Sequence, residues 1–151
     1  MVWAGRHRRD EWTGLCERYL RRIRRQVALE ELPVRSGGGE ARARLDAEGK
    51  AIVAAVPERS YLVALDSRGR QRTSPGLARW LGRRLEGSRR PLVFVVGSDL
   101  GIAGNVFEKA DEKLSFGALT LPHELARVVL YEQLYRGLSI LRGMKYHREP
   151  L

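Results

Sequence analysis

Residues 91–104 read "PLVFVVGSDLGIAG": an apolar run from Leu92 to Val96, entered through Pro91 and closed by glycines at 97, 101 and 104. A run this short, bounded by proline and glycine, is the pattern of a strand buried on both faces. Such strands lie in parallel sheets covered by helices, so the neighbouring segments must supply helices on either side. A second run, "SYLVALD" at 60–66, is closed by the polar turn "DSRGRQ". Upstream, "VALEELPV" reads as a short strand ending at Pro33, followed by the flexible loop "RSGGGEAR" and a helix from about Glu40 to Val56. Trp12, Leu15, Cys16, Tyr19, Leu20 and Ile23 recur at helical spacing after Asp10, a ready N-cap. Ser74-Pro75 opens another helix with Leu77, Trp80, Leu81 and Leu85 on its apolar stripe. "VFEKADEKL" reads as a short helix after the glycines. The alternation predicts an α/β fold, one domain over 1–151, with a mainly parallel sheet and helices on both faces.

The last third departs from the amphipathic pattern. "LARVVLYEQLYRGLSIL", Leu125 to Leu141, places apolar residues around more than one face of a single helix. A helix that is apolar most of the way round must be covered on most sides, and in a chain of 151 residues a second copy is the economical cover. A symmetric homodimer is therefore expected. No apolar run approaches the roughly 18–20 residues that span a bilayer, and the N-terminus lacks a signal-peptide core, so a cytoplasmic protein is expected. The single cysteine, Cys16, falls on the apolar stripe of the first helix, where a buried, inert thiol is expected.

The net charge of +10 is unevenly placed. Residues 1–90 carry 21 Lys or Arg against 11 Asp or Glu, whereas residues 91–151 carry 7 of each. The excess is mostly arginine, whose planar fork binds phosphate bidentately. With no membrane signal, the polyanion that such a half would face is nucleic acid. On the first helix Arg18, Arg21, Arg22, Arg24 and Arg25 crowd the outer face with few acidic partners.

Two weak ligand sites stand out. Gly97, Gly101 and Gly104 let backbone amides approach a ligand at the carboxyl end of a strand, although they do not match the dinucleotide fingerprint. "SFGALTLPHELAR", Ser115 to Arg127, brings exposed backbone and an apolar wall to the start of the long helix, where Pro122 sits. Such a place suits a flat apolar ring with polar edges. His123 has no second His or Cys at ligand spacing, so it reads as structural, and no metal site is expected.

"VVGSDLGI" and "LSFGALTLPHELARVVLYEQLYRGLSILRGMKYHRE" together resemble the RlmH family, ribosomal large-subunit RNA pseudouridine methyltransferases of the SPOUT, or α/β-knot, class. The match is dense over 91–149 and looser before, where "RYLRR", "VALEELP" and "YLVALD" follow in the family's order. The resemblance implies a C-terminal deep trefoil knot, one of the rare exceptions to unknotted chains. It implies S-adenosyl-L-methionine as cofactor, held by Leu65, by Gly97 and Ser98, and by Gly117, Ala118, Leu119, Thr120, Leu121 and Pro122. It implies a homodimer acting on ribosomal RNA of the ribosome, with transfer of a methyl group to N3 of a pseudouridine. Arg18, Arg21, Arg22, Arg25 and Arg127 become candidate RNA contacts.

Methyl transfer from a sulfonium is an in-line displacement, and the attacking imide nitrogen must also lose its proton. Tyr146, His147 and Arg148 form the one cluster with a stacking ring, a group titrating near neutrality and a fixed cation. Base packing falls to Tyr146, proton transfer or orientation to His147, and charge stabilisation to Arg148. The family has paired glycines where this chain has Gly97 and Ser98, a departure that bears on cofactor approach. Two rival readings are a ribosome-binding assembly factor that kept the fold without turnover, and a SPOUT enzyme acting on another RNA such as tRNA.

Overall fold

The computed structural model describes residues 1–5, 11–87 and 89–146. Its elements run β1 (Val2–Gly5), α1 (Glu11–Arg24), β2 (Leu32–Arg35), α2 (Ala41–Ala55), β3 (Tyr61–Gln71), α3 (Ser74–Gly87), β4 (Leu92–Val96), α4 (Gly104–Lys109), β5 (Glu112–Ser115) and α5 (His123–Leu141). The strands form one sheet in the order β2-β1-β4-β3-β5, and every neighbouring pair is parallel. This is the expected α/β architecture.

Alternation along the strands sorts side chains to two cores. Trp3, Val63, Phe94, Val96 and Leu114 face α1, α3 and α5, packing on Leu20, Ile23, Trp80, Leu81, Leu130 and Leu134. Val2, Ala4, Leu62, Val93 and Val95 face α2 and α4 through Ile52 and Val106. Both faces of the central strands are thereby dry, as the unbroken apolar runs required. Cys16 is buried in the first core.

One strand is added and three local expectations are corrected. The N-terminal residues form β1, a strand too short to show alternation, whose Met1 ammonium donates to the Glu30 carbonyl at 2.9 Å. β2 runs from Leu32 to Arg35, across the Pro33 at which the expected strand was to end, because its ladder with β1 pairs Val2 with Leu32 and Gly5 with Arg35. The polar turn expected after Asp66 is an excursion within β3: Leu114 of β5 pairs with both Leu65 and Arg70, so residues 66–69 leave the ladder and return. Gly69 permits the return, since a Cβ there would lie 2.7 Å from the Lys113 carbonyl group. Finally, the helical segment "VFEKADEKL" stops at Lys109, and Glu112–Ser115 become β5. Asp111 makes the switch, its N–H donating to the Leu62 carbonyl (2.9 Å) and its carboxylate accepting from the Leu62 N–H (2.8 Å).

Asp10, the expected cap of α1, lies outside the described residues. Trp12, placed on the apolar stripe by spacing, is 39% exposed. The helix α5 has α1 on one side, α3 on the other and the sheet beneath, burying Leu130, Tyr131, Leu134, Tyr135 and Leu138. Its apolar circumference is thus largely covered within the chain, which removes the need for a partner at those positions. Leu141 and Met144, each 42% exposed at its C-terminal end, are the apolar residues left over there.

Candidate ligand pocket at the carboxyl edge of the sheet

The chain leaving β4 and β5 and the 66–69 excursion of β3 meet at one edge of the sheet around a cavity of about 400 Å³. One wall is Leu65–Arg68, the second Val96–Ile102, and the third Leu114–Leu121, with His123 and Ala126 of α5 and Phe107 of α4 closing the rest. Leu65, Gly97, Ser98, Gly117, Leu119, Thr120 and Leu121 of the expected cofactor contacts line it. Ala118 and Pro122 lie in the same loop without lining the cavity. The two weak glycine motifs are therefore opposite walls of one pocket.

Gly97 is tightly fitted. A Cβ there would stand 2.1 Å from the Gly101 carbonyl oxygen and 2.8 Å from Ile102, so the loop folds back on β4 only because the position has no side chain. Ser98, the departure from paired glycines, is buried, and its hydroxyl is engaged by α2. Its Oγ donates to Glu48 Oε2 at 2.6 Å and accepts the Leu100 N–H at 3.2 Å. Glu48 is only 2% exposed and also accepts from Ser36 Oγ. Arg44, one turn earlier on α2, holds Asp99 at 2.6 Å and keeps its carboxyl below the usual range. Two side chains of α2 thus fix a loop that lines the pocket from the far side of the sheet.

The 66–69 excursion contributes the opposite rim. Asp66 takes three hydrogen bonds from Arg68, from its backbone N–H (2.8 Å), Nε (3.0 Å) and Nη2 (2.9 Å). The guanidinium bonds hold the Asp66 carboxyl below its ordinary 3.8, at about 2. Sequence reasoning missed Asp66, Ile102, Phe107 and Phe116 as pocket residues; an isolated Phe or Asp carries no local signal for a wall assembled from three strands. His123, read as structural, lines the cavity with Nε2 3.1 Å from a Glu124 carboxylate oxygen.

Tyr146 lies elsewhere. Its ring packs edge-on against Tyr135 at 4.7 Å, and its hydroxyl donates to Glu132 (3.1 Å) and stands 3.5 Å from that of Tyr19. Burial, followed by these hydrogen bonds, raises its pKa. His147 and Arg148 lie outside the described residues. Arg18, Arg21 and Arg22 are exposed on α1 and Arg25 just after its end, with Arg22 5.5 Å from the Tyr135 ring. The start of the tail and the arginine helix therefore share one surface. Arg127 is corrected as an RNA contact: its guanidinium is buried 3.7 Å over the Trp3 ring and lies 3.8 Å from Glu31, so it is a core cation. Among the described residues no group of side chains could hold a metal, and no helix is long and apolar enough to cross a membrane.

A parallel sheet with crossing loops gathered over its carboxyl edge defines an α/β protein with a small-molecule pocket, of a volume usual for organic ligands. The family described as predicted SPOUT methyltransferase matches residues 1–147. Ribosomal RNA large subunit methyltransferase H of Solidesulfovibrio magneticus is 42% identical over 148 residues, 97% of this chain and 96% of the relative. The protein of the same name from Rubrobacter xylanophilus is 48% identical over 143 residues, 87% of each chain. A probable methylase family protein from Haemophilus influenzae superposes with a TM-score of 0.55 at 14% identity, covering 99% of this chain and 70% of that one, a likeness of fold. The chain belongs to the SPOUT methyltransferase family, alongside these methyltransferase H relatives.

Proposed function

We propose that this protein is an S-adenosyl-L-methionine-dependent methyltransferase of large-subunit ribosomal RNA, acting in the cytoplasm as a one-domain, knotted homodimer that methylates N3 of a pseudouridine on the ribosome. The observation that carries the reading is the pocket, whose walls are the segments that the family resemblance assigns to the cofactor, in a chain matched nearly end to end by methyltransferase H relatives.

The residues fit the cofactor. Leu65, Ile102, Phe107, Phe116 and Leu121 offer apolar surface to a flat ring, while Gly97 brings backbone close enough to hydrogen-bond its edges. When bound, S-adenosyl-L-methionine supplies a methyl group on a sulfonium, activated for displacement. The protein's part is to place the nucleophilic nitrogen in line with that methyl at near-attack distance, which accounts for much of the acceleration. Leu119, 82% exposed on the third wall, is placed to cover the substrate side of the pocket and exclude water.

Proton removal from N3 needs a base or a cation. Tyr146 faces α1 and α5 of its own chain and is absent from the lining of its own pocket. This supports a division of labour in which His147 and Arg148 enter the pocket of the second subunit, His147 accepting or orienting the proton and Arg148 stabilising negative charge. The exposed arginines of α1 then hold RNA phosphates beside that composite site.

Incubation with methyl-labelled cofactor and either ribosomes, isolated large subunits or tRNA tests the reading. Label in large-subunit RNA at a pseudouridine is expected; label in tRNA alone overturns the substrate, and no cofactor binding overturns the enzyme. Sedimentation at about twice the 17.1 kDa chain mass is expected, and a monomer at working concentration removes the shared site.

A further inference from the structure

A second basic surface lies away from α1. Where β3 leaves the pocket rim it runs on through Arg70 and Arg72 to α3, and a broad depression of about 770 Å³ opens there. Arg70, Arg72, Arg79, Arg83 and Arg84 line it, against two carboxylates, Asp111 and Glu112.

The arginines form two layers. In the inner layer each guanidinium has a partner in the fold. Arg72 pairs with Glu112 and lies 5.0 Å from the Trp80 ring, and Arg84 sits 3.6 Å over Tyr61. Arg90, beside the depression, takes Asp111 at 3.1 Å. Both carboxylates are thus already neutralised. In the outer layer Arg70, Arg79 and Arg83 are exposed, and no hydrogen bond or ion pair joins them to any described residue. Arg79 and Arg83 stand one turn apart on one helix face, where like charges repel, so the fold gains nothing from the pair. A ligand bearing regularly spaced negative charge would remove that repulsion. Arg68, 80% exposed on the pocket rim, is paired with Asp66 and so adds no unpaired charge to this layer.

We infer that Arg70, Arg79 and Arg83 form a second phosphate-contacting surface, which holds the RNA backbone flanking the nucleotide that enters the pocket. The inference rests on the reading of the protein as a ribosomal RNA methyltransferase and adds the α3 side of the molecule to its RNA footprint. Chemistry favours RNA phosphate over an acidic protein: guanidinium forks match phosphate bidentately, and the two aromatics of the depression, Trp80 and Tyr61, are already covered by Arg72 and Arg84.

The test compares Arg79→Gln/Arg83→Gln with wild type for binding to ribosomes across a salt series and for methyl transfer. The control, Arg42→Gln/Lys50→Gln on α2, removes the same charge from the opposite face of the sheet. Each lost phosphate contact lowers the log-log salt slope by roughly 0.7–0.9. The α3 variant should therefore lose roughly 1.4–1.8 units of slope, bind ribosomes at least tenfold more weakly at low salt, and keep wild-type affinity for S-adenosyl-L-methionine. Adding Arg70→Gln should deepen the loss. An unchanged slope and affinity, or an equal loss in the α2 control, overturns the inference. Wild-type binding without methyl transfer overturns the enzymatic reading alone, because the slope comparison still stands; a wild type that does not bind ribosomes overturns both.

Discussion

Replacing Ser98 by alanine isolates the contact by which α2 holds the pocket loop. The substitution deletes the hydroxyl that donates to Glu48 Oε2 at 2.6 Å and that caps the Leu100 N–H at 3.2 Å. Glu48 is 2% exposed, so water cannot replace the lost donor, and Ser36 still serves the other oxygen. A hydrogen bond to a buried carboxylate contributes about 1.5–3 kcal/mol, so we expect a loss of about 2 kcal/mol and a fall in Tm of about 4–8 °C for a chain of this size. Whatever part of that energy orders residues 97–101 reappears as weakened cofactor binding, at about tenfold in Kd per 1.4 kcal/mol. Thermal unfolding with calorimetric titration of S-adenosyl-L-methionine measures both. The double variant Ser98→Ala/Glu48→Leu removes both partners, and its cost should fall short of the summed single costs by about 1 kcal/mol or more. Single effects that add to within about 0.3 kcal/mol, or an unchanged Tm in Ser98→Ala, would refute the reasoning.

Three further outcomes are expected. Gly97→Ala forces a Cβ to within 2.1 Å of the Gly101 carbonyl oxygen and should weaken cofactor binding at least about tenfold, at an overpacking cost of about 1–3 kcal/mol, whereas Gly104→Ala, with open space around its Cβ, should not. Deleting residues 147–151 while keeping Tyr146 should preserve Tm and cofactor affinity and abolish methyl transfer; mixing this deletion with a pocket-dead Gly97→Ala chain should restore part of the activity if the tail acts across subunits, and full activity in the deletion alone would dismiss it. The Asp66 carboxyl, whose pKa is lowered to about 2 by Arg68, contributes stability that is complete above the ordinary carboxylate range and is lost as pH falls through about 2; in Arg68→Gln its NMR titration midpoint should return toward 3.8.

The central elements were legible because their signals are local. Val93–Val96 and Leu62–Ala64 are unbroken apolar runs, and Ser74-Pro75 opens α3 at the residue the proline chemistry indicates. β1 and β5 were not legible, each four residues long and made a strand by its neighbours. Nothing in "EKLS" tells a helix from an edge strand; the hydrogen bonds of Asp111 to Leu62 decide it. The pocket was half legible. Gly97 and the 117–122 loop carry their own signatures, but only the folded sheet brings Asp66, Phe107 and Phe116 to them. The apolar circumference of α5 has more than one possible cover, and sequence alone does not tell the flanking α1 and α3 from a second molecule.

The detour of residues 66–69 out of the β3–β5 ladder gives the two ligands a common mechanical element. Residues 66–68 border the cavity, and Arg70, where the ladder resumes, belongs to the arginine surface. A cofactor that steadies the detour has already met part of the ordering cost of the RNA, and RNA bound first does the same for the cofactor. Linkage makes the two enhancements equal, so the factor by which S-adenosyl-L-methionine tightens ribosome binding must match the factor by which ribosomes tighten S-adenosyl-L-methionine binding. An enzyme built this way would favour a loaded complex over either partial one, and would seldom hold its substrate without the means to modify it.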